Sequence, residues 1–248
     1  DKTKPDGVYV WLESYDIGTF TDSDGKFSIT LPSPEASGLG SDFSGEIYLY
    51  FYFANYILDS SVVIFSNGKF SDIQRDIKQD GSLKEVKILS SLLQVNTSII
   101  PSVVRLDENG PVKVTVKLKT FHYPLQIYYR GLLIKPPPGI LKSGIVFKSI
   151  VDPENRSVLF DLPGSKKLIY NFPSFQQEEW EYNYNLNTNE LLPGKYSIFP
   201  FIIINQKRPP IKLIESLGDT SMYIFQPDYI KLPMKRNDGS FEVLAAGK

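Results

Sequence analysis

Residues 112–119 read Val-Lys-Val-Thr-Val-Lys-Leu-Lys, and residues 46–53 read Glu-Ile-Tyr-Leu-Tyr-Phe-Tyr-Phe. Side-chain character alternates with a period of two in both. In the first stretch Val112, Val114, Val116 and Leu118 share one side, opposite Lys113, Thr115, Lys117 and Lys119. In the second, Ile47, Leu49, Phe51 and Phe53 oppose Tyr48, Tyr50 and Tyr52. Helical geometry would scatter these groups around a cylinder, whereas successive side chains of a strand point to opposite faces. The two stretches therefore predict strands with one buried face each.

Working outward, β-branched or aromatic runs occur at residues 8–12, 26–31, 61–65, 125–130, 144–151, 157–162, 181–186, 196–204 and 221–226. Turn-forming pairs punctuate them, among them Asp24-Gly25, Asn67-Gly68, Asp80-Gly81, Asn109-Gly110, Pro163-Gly164 and Asp238-Gly239. Short strands with turns between them predict an all-β chain. Eighteen prolines argue against long helices, leaving helical turns only at residues 71–79 and 90–95. A Pro-containing stretch and a polar turn at residues 98–109 mark the expected boundary between two tandem β-sandwich domains, residues 1–100 and 101–248. That stretch is not rich in Gly or Ser, so a packed junction is expected.

The composition narrows the function. Lys plus Arg total 27 against 28 Asp plus Glu, so no cationic surplus favours nucleic acid as the main partner. Cys is absent, which removes disulfides, thiolate metal sites and Cys nucleophiles. No apolar run reaches the roughly 18–20 residues of a membrane helix. The chain begins at Asp1 rather than Met, so a removed upstream segment and an N-terminal anchor are expected.

Residues 7–32 carry Gly7-Val8-x-Val10, then Gly18-Thr19-x-Thr21-Asp22-x-x-Gly25-x-Phe27, closing at Leu31-Pro32. This pattern resembles the carboxypeptidase regulatory-like family, which implies a small transthyretin-like sandwich and an accessory role in a larger assembly. Tyr56 resembles a Gly-Tyr position later in such domains, with Gly replaced. The family has a further strand ahead of the motif, for which residues 1–5 are too short. Either the sheet closes differently, or an edge beside residues 8–12 is left able to accept a partner's strand. Farther on, Leu191-Leu192-Pro193-Gly194-Lys195-Tyr196 resembles the corner that leads into a late strand of immunoglobulin-like sandwiches. A Tyr at that corner buries its ring and returns its hydroxyl to nearby backbone. Pro200, in the run that follows, removes a ladder bond and points to an edge or bulge.

Candidate chemistry is sparse. Asp22-x-Asp24-Gly25 with nearby Asp16 looks like the start of a calcium loop, but it has neither the third ligand position nor the later bidentate Glu. Turn formation explains it without a metal. The single His, His122, has no Gly-x-Ser-x-Gly partner motif, so a strand-end role is expected. Glu178, Glu179 and Glu181 surround Trp180 in a mixture that glycoside hydrolases use, yet a strand would turn Glu179 and Glu181 away from Trp180, Tyr182 and Tyr184. The aromatic rows are the candidate ligand-binding residues: Tyr48, Tyr50 and Tyr52, or Trp180, Tyr182 and Tyr184. Each would serve as a stacking platform if exposed and as core if buried. The lysine row of residues 113–119 reads as a solvated face. The expected function is a non-catalytic, extracytoplasmic binding or scaffold protein, anchored at the cell surface as a lipoprotein or accessory module. Its partners would be protein or polysaccharide, and no cofactor or metal is expected. A carbohydrate-binding module is the chief alternative, and a carboxylate-dependent glycoside hydrolase the other.

Overall fold

The computed structural model describes residues 6–32, 42–107, 110–134, 139–152, 157–185, 191–206, 209–218 and 227–247. Over these residues the chain is all-β, with one short α-helix. It divides into two compact units, Asp1–Ser91 with Gln206–Met234, and Leu92–Asn205 with Lys235–Lys248.

In the first unit, β1 (Tyr9–Leu12), β2 (Ile17–Phe20), β3 (Gly45–Tyr52), β4 (Asp59–Ser66) and β5 (Lys69–Phe70) form one sheet in the order β2-β1-β3-β4-β5. All its pairings are antiparallel. Asn67 and Gly68 both take positive φ, as the two-residue turn joining β4 to β5 requires. Because β1 lies between β2 and β3, the sheet closes differently, and the alternative of an open edge beside residues 8–12 does not hold.

The inner face of this sheet builds a core from Val10, Leu12, Ile47, Leu49, Phe51 and Val63. The run at residues 26–31, expected as a strand, does not enter a ladder. It leaves a tight turn in which Gly25 N–H donates to Asp22 C=O (3.0 Å) and Asp22 Oδ1 accepts from the N–H groups of Asp24 and Lys26 (2.9 Å each). It then lays Phe27 and Ile29 against the core as irregular chain. Among the described residues this unit is therefore one sheet under an irregular cover, not two stacked sheets.

Residues 71–79 are not helical either. β4 runs past its short partner β5, and side chains complete its edge instead. Asp76 Oδ2 accepts from Val62 N–H (2.8 Å), Gln74 Oε1 accepts from Ile64 N–H (3.0 Å), and Gln74 Nε2 donates back to Ile64 C=O (2.6 Å). Two side chains at i and i+2 thus stand in for a neighbouring strand, since a buried backbone N–H left unpaired is costly.

The chain returns to this unit at Gln206, whose Nε2 donates to the carbonyls of Ala54 and Tyr56 (2.7 Å each). The returning segment holds α1 (Ile211–Leu217), with Leu213 and Ile214 buried, and a 3-10 turn at Pro227–Lys231. Tyr9 from the sheet meets α1 through its hydroxyl on Ser216 Oγ (2.9 Å). Pro209-Pro210 ahead of the helix and Gly218 behind it are the start and stop signals that a reading weighted toward strands passes over. The strand expected at 221–226 lies outside the described residues, as do residues 1–5 and Asn109.

The second unit holds β6 (Leu93–Ile100), β7 (Val103–Arg105), β8 (Pro111–Thr120), β9 (Leu125–Ile134), β10 (Gly139–Ser143), β11 (Ile145–Ser149), β12 (Ser157–Phe160), β13 (Lys166–Phe172), β14 (Gln177–Asn185), β15 (Gly194–Pro200), β16 (Ile202–Ile204) and β17 (Gly239–Leu244). The ladders are β14-β8-β6, β10-β9-β13 with β16 beside β9, and β12-β11-β15-β17-β7. All three feed one core that includes Val114, Leu118, Ile127, Phe147, Trp180 and Phe241. The boundary expected near residue 100 is thus one strand late. β6 alternates like β8 and pairs with it from Leu93↔Thr120 to Ile100↔Lys113, which commits residues 93–100 to the second unit. The first unit is also discontinuous in sequence, whereas residues 1–100 were expected to form it alone.

Pro200 marks neither an outer edge nor a simple bulge. Phe201 separates β15 in one ladder from β16 in another, and Gly144 likewise separates β10 from β11. Phe201 N–H donates to Gly144 C=O (2.8 Å), so two strands change ladders at one point. Gly144 sits there at φ +86, and a Cβ on it would lie 2.6 Å from Arg130 Cβ. The ring of Tyr196 is buried, and its hydroxyl donates to Leu192 C=O (2.7 Å) and accepts from Leu192 N–H (3.2 Å), as the corner motif implies.

The side-chain edge on β4 has a measurable consequence. The hydrogen bond from Val62 N–H, followed by nearby Arg75 and Lys87, holds the Asp76 carboxyl below the usual carboxylate range despite some desolvation. A depressed value stabilises the fold above the unfolded carboxyl's pKa and is lost as pH falls through the folded one. Asp76→Ala should cost the first unit about 1–3 kcal/mol in urea unfolding at neutral pH. It should also flatten the loss of stability on acidification below the unfolded value.

Candidate functional site

The two aromatic rows meet different fates. On β14, Trp180, Tyr182 and Tyr184 all point into the core of the second unit. Trp180 is 1% exposed, and its indole N–H finds no acceptor among the described residues, whereas an exposed platform would leave that donor to water. Tyr129 and Tyr170 pack on its ring at 4.9 and 5.4 Å. These three residues build the core and are not available for stacking on a ligand.

Glu179 and Glu181 project from the other face of β14, as the period of two dictates. There they pair with the lysine row of β8, Glu179 with Lys117 (3.3 Å) and Glu181 with Lys113. Acids and aromatics therefore face apart. Glu178 lies on the core side, where it hydrogen-bonds Tyr170 and attracts the half-buried Lys142, whose ammonium sits 4.9 Å over the Trp180 ring. Burial followed by Glu178 pushes the Tyr170 phenol up to about 12, and burial lowers the Lys142 ammonium.

On β3 the tyrosines grade from covered to open. Tyr52 is buried, opposite Tyr9 on β1. Tyr50 is half-buried opposite Trp11, with ring centroids 5.9 Å apart. Tyr48 is 39% exposed and lies 5.9 Å from Tyr50, the two rings inclined at 35°. Trp11 itself is buried and donates its indole N–H to Asp16 Oδ1 (2.9 Å), which occupies the acid that a calcium loop would need. Burial and then Glu13 raise the Tyr50 phenol. What remains for a ligand is two tilted rings, not three coplanar ones. His122 lies exposed just past β8. No group of three or more His, Asp or Glu side chains is placed to hold a metal among the described residues.

The feature that pattern reading missed lies under the opposite face of the same sheet. Among the described residues the irregular cover does not fill the space beside it, and a cleft of about 700 Å³ remains. Leu12, Leu49, Val63 and Ile77 reach it only as buried core side chains, and its accessible apolar lining is the part-exposed Phe27, Ile29, Phe70 and Leu83 with exposed Leu31. Lys26, Gln79 and Asp80 stand among its lining residues. A second hollow of about 430 Å³ adjoins it around Phe27 and Leu83, with Lys78, Lys84 and Lys87 along its border. Lys84 and Lys87 anchor to backbone carbonyls of Gln74 (2.7 Å) and Ser60 (2.8 Å). Lys78 makes no ion pair among the described residues. Alternation identifies residues that face inward but not whether a second layer closes over them, so the cleft had no signal in sequence.

No family model matches the chain, and no curated protein matches it in sequence. One solved structure is similar in part: an alkylpurine DNA glycosylase of Pseudomonas fluorescens bound to DNA containing an abasic site analog. The identity is 11% and the TM-score 0.28, over 62% of this chain and 31% of that one. The likeness is too low to carry an argument. No helix among the described residues is long and apolar enough to cross a membrane.

Tyr170, packed on Trp180, can be titrated. Its raised phenol means that the native state holds this proton after the unfolded chain, at 10.0, has released it. The associated stability is complete below pH 10 and is lost as pH rises toward 12. Absorbance titration should show a late-ionising tyrosine near 12 that Tyr170→Phe removes, and that variant should lose less stability between those two values.

Proposed function

We propose that the protein is a non-catalytic binding protein working outside the cytoplasm, whose ligand occupies the apolar cleft of the first unit. The cleft carries this reading. Among the described residues an opening of about 700 Å³ is edged by the part-exposed apolar side chains of Phe27, Ile29, Phe70 and Leu83. It falls within the size range of small-molecule sites, which are mainly apolar with a few polar groups fixing orientation. Lys26, Gln79 and Asp80 at the lining suit a ligand with an apolar body and a polar end.

The non-catalytic part is supported by the use of the acids nearest the aromatic rows, which pair with lysines or tyrosine. The extracytoplasmic, surface-anchored part rests on the resemblance of residues 7–32 to carboxypeptidase regulatory-like domains. The Asp22–Gly25 turn and the inward Phe27 fit that motif, although the covering segment is not a strand. An immunoglobulin-like identity for the second unit is favoured by the Tyr196 corner. A polysaccharide is the second reading, favoured by the adjacent rings of Tyr48 and Tyr50.

Titration with a fluorescent fatty acid such as cis-parinaric acid tests the cleft. Saturable binding is expected, weakened about tenfold or more by Leu83→Trp, which fills the opening from its side. Absence of binding, or binding indifferent to that substitution in a variant with unchanged melting, would reject the site. Retardation of the protein in polysaccharide-containing gels that Tyr48→Ala abolishes would favour the second reading instead.

A further inference from the structure

We propose that the occupant of the cleft, taken as the ligand site argued above, is an extended segment of a partner polypeptide that pairs through its backbone with the cover of the first unit. Two stretches of that cover, residues 27–31 and 85–89, are chain outside any ladder. In each, side chains alternate between core and solvent. Phe27 and Ile29 pack on the core, while Ser28 and Thr30 are exposed. Leu89 packs on the core and Lys87 Nζ donates to Ser60 C=O (2.8 Å), while Val86 and Ile88 are 88% and 85% exposed. Extended chain with this alternation directs its N–H and C=O groups sideways, within the layer.

Those groups have no partners. Lys84 N–H donates to Asp76 C=O (2.9 Å) and Ser90 C=O accepts from Ile57 N–H (2.8 Å), so the second stretch is held at both ends. Among the described residues, no backbone N–H or C=O of residues 27–31 or 85–89 makes a hydrogen bond. Both stretches also border the same space. Phe27 lines both hollows, Ile29 the larger one, and Glu85, Val86 and Leu89 the smaller. The cover thus has the alternation of a sheet without its ladder.

This identifies the occupant. A lipid or a sugar offers no regular row of donors and acceptors, whereas a polypeptide presents both at the spacing of a strand, and an unpaired edge is a template for one. Side chains set its composition. Inward residues of the segment meet Phe27, Ile29 and Leu83, and outward ones meet Val86 and Ile88, so it is β-branched or apolar on both faces. Lys26 pairs with Asp24 (3.4 Å) and Lys87 with Asp59 (3.6 Å), so the segment needs no charge. Residues 33–41 of the chain itself hold a single large apolar side chain, Leu39, and residues 1–5 no aliphatic or aromatic one, so neither has the composition of such a strand.

Fluorescence anisotropy with the whole chain tests this, using a labelled octapeptide of alternating Val and Thr and a copy N-methylated throughout, which keeps the side chains but has no backbone donor. Saturable binding of the first is expected, displaced by cis-parinaric acid and weakened about tenfold or more by methylation. Successive N–H groups of a strand point to opposite edges, so Glu85→Pro and Val86→Pro sample both at exposed positions. One of them should weaken the peptide about tenfold or more, with melting and fatty-acid binding little changed. Fatty-acid binding without peptide binding, or peptide binding indifferent to methylation and to both prolines, would overturn the inference and leave the cleft as the ligand site. Failure of both ligands to bind would reject the cleft as well. Peptide binding that arises only after residues 33–41 are deleted would also overturn it and assign the space to the chain's own segment. A dimer abolished by Val86→Pro, without peptide binding, would instead assign the edge to a second copy.

Discussion

A buried ladder cannot leave backbone N–H and C=O groups without partners, and the places where ladders stop shape the rest of this protein. β4 outruns β5, so Gln74 and Asp76 supply the missing bonds from their side chains. β15 cannot continue its ladder through Pro200, so the chain steps sideways at Phe201 and resumes as β16, meeting Gly144 where β10 makes the complementary step. Regular pairing explains the cores, and its interruptions explain the cleft and the crossing point.

Side-chain alternation made much of this legible. Residues 46–53 and 112–119 form strands with the expected inward faces, and Asn67-Gly68 makes the expected hairpin. The Tyr196 corner needed only its own motif. The limits are equally physical. A strand with two apolar faces, as in β3, does not say which face is covered or by what. On β14 the acids opposite Trp180, Tyr182 and Tyr184 do say so, because charged residues keep to solvent. On β3 the tyrosines tolerate either state, and the structure gives them both, from buried Tyr52 to exposed Tyr48.

The unit boundary was illegible for another reason. Polar turns and prolines mark places where the backbone bends, not places where contacts cease. The chain bends at Pro101-Ser102, but β6 before the bend and β7 after it belong to the same unit. The actual crossing after Ser91 carries no Gly/Pro cluster. The return at Gln206 is sequence-remote from the carbonyls of Ala54 and Tyr56 that it serves. Contacts between segments so far apart are invisible to any local window.

Magnitudes decide between the two candidate ligand surfaces of the first unit. Two tilted, partly covered rings offer a ligand on the order of 0.5–1.5 kcal/mol each from stacking beyond the area that they bury. An aliphatic chain entering the cleft gains about 0.8 kcal/mol per buried methylene, so a chain of about eight carbons gains roughly 6 kcal/mol before ordering costs. The cleft also needs no rearrangement of Leu12, Leu49 and Val63, which the ladder already holds in place. Tyr48 and Tyr50 have no comparable enclosure, and water competes for their faces throughout. On these magnitudes the proposed site belongs on the face where the sheet's cover is irregular.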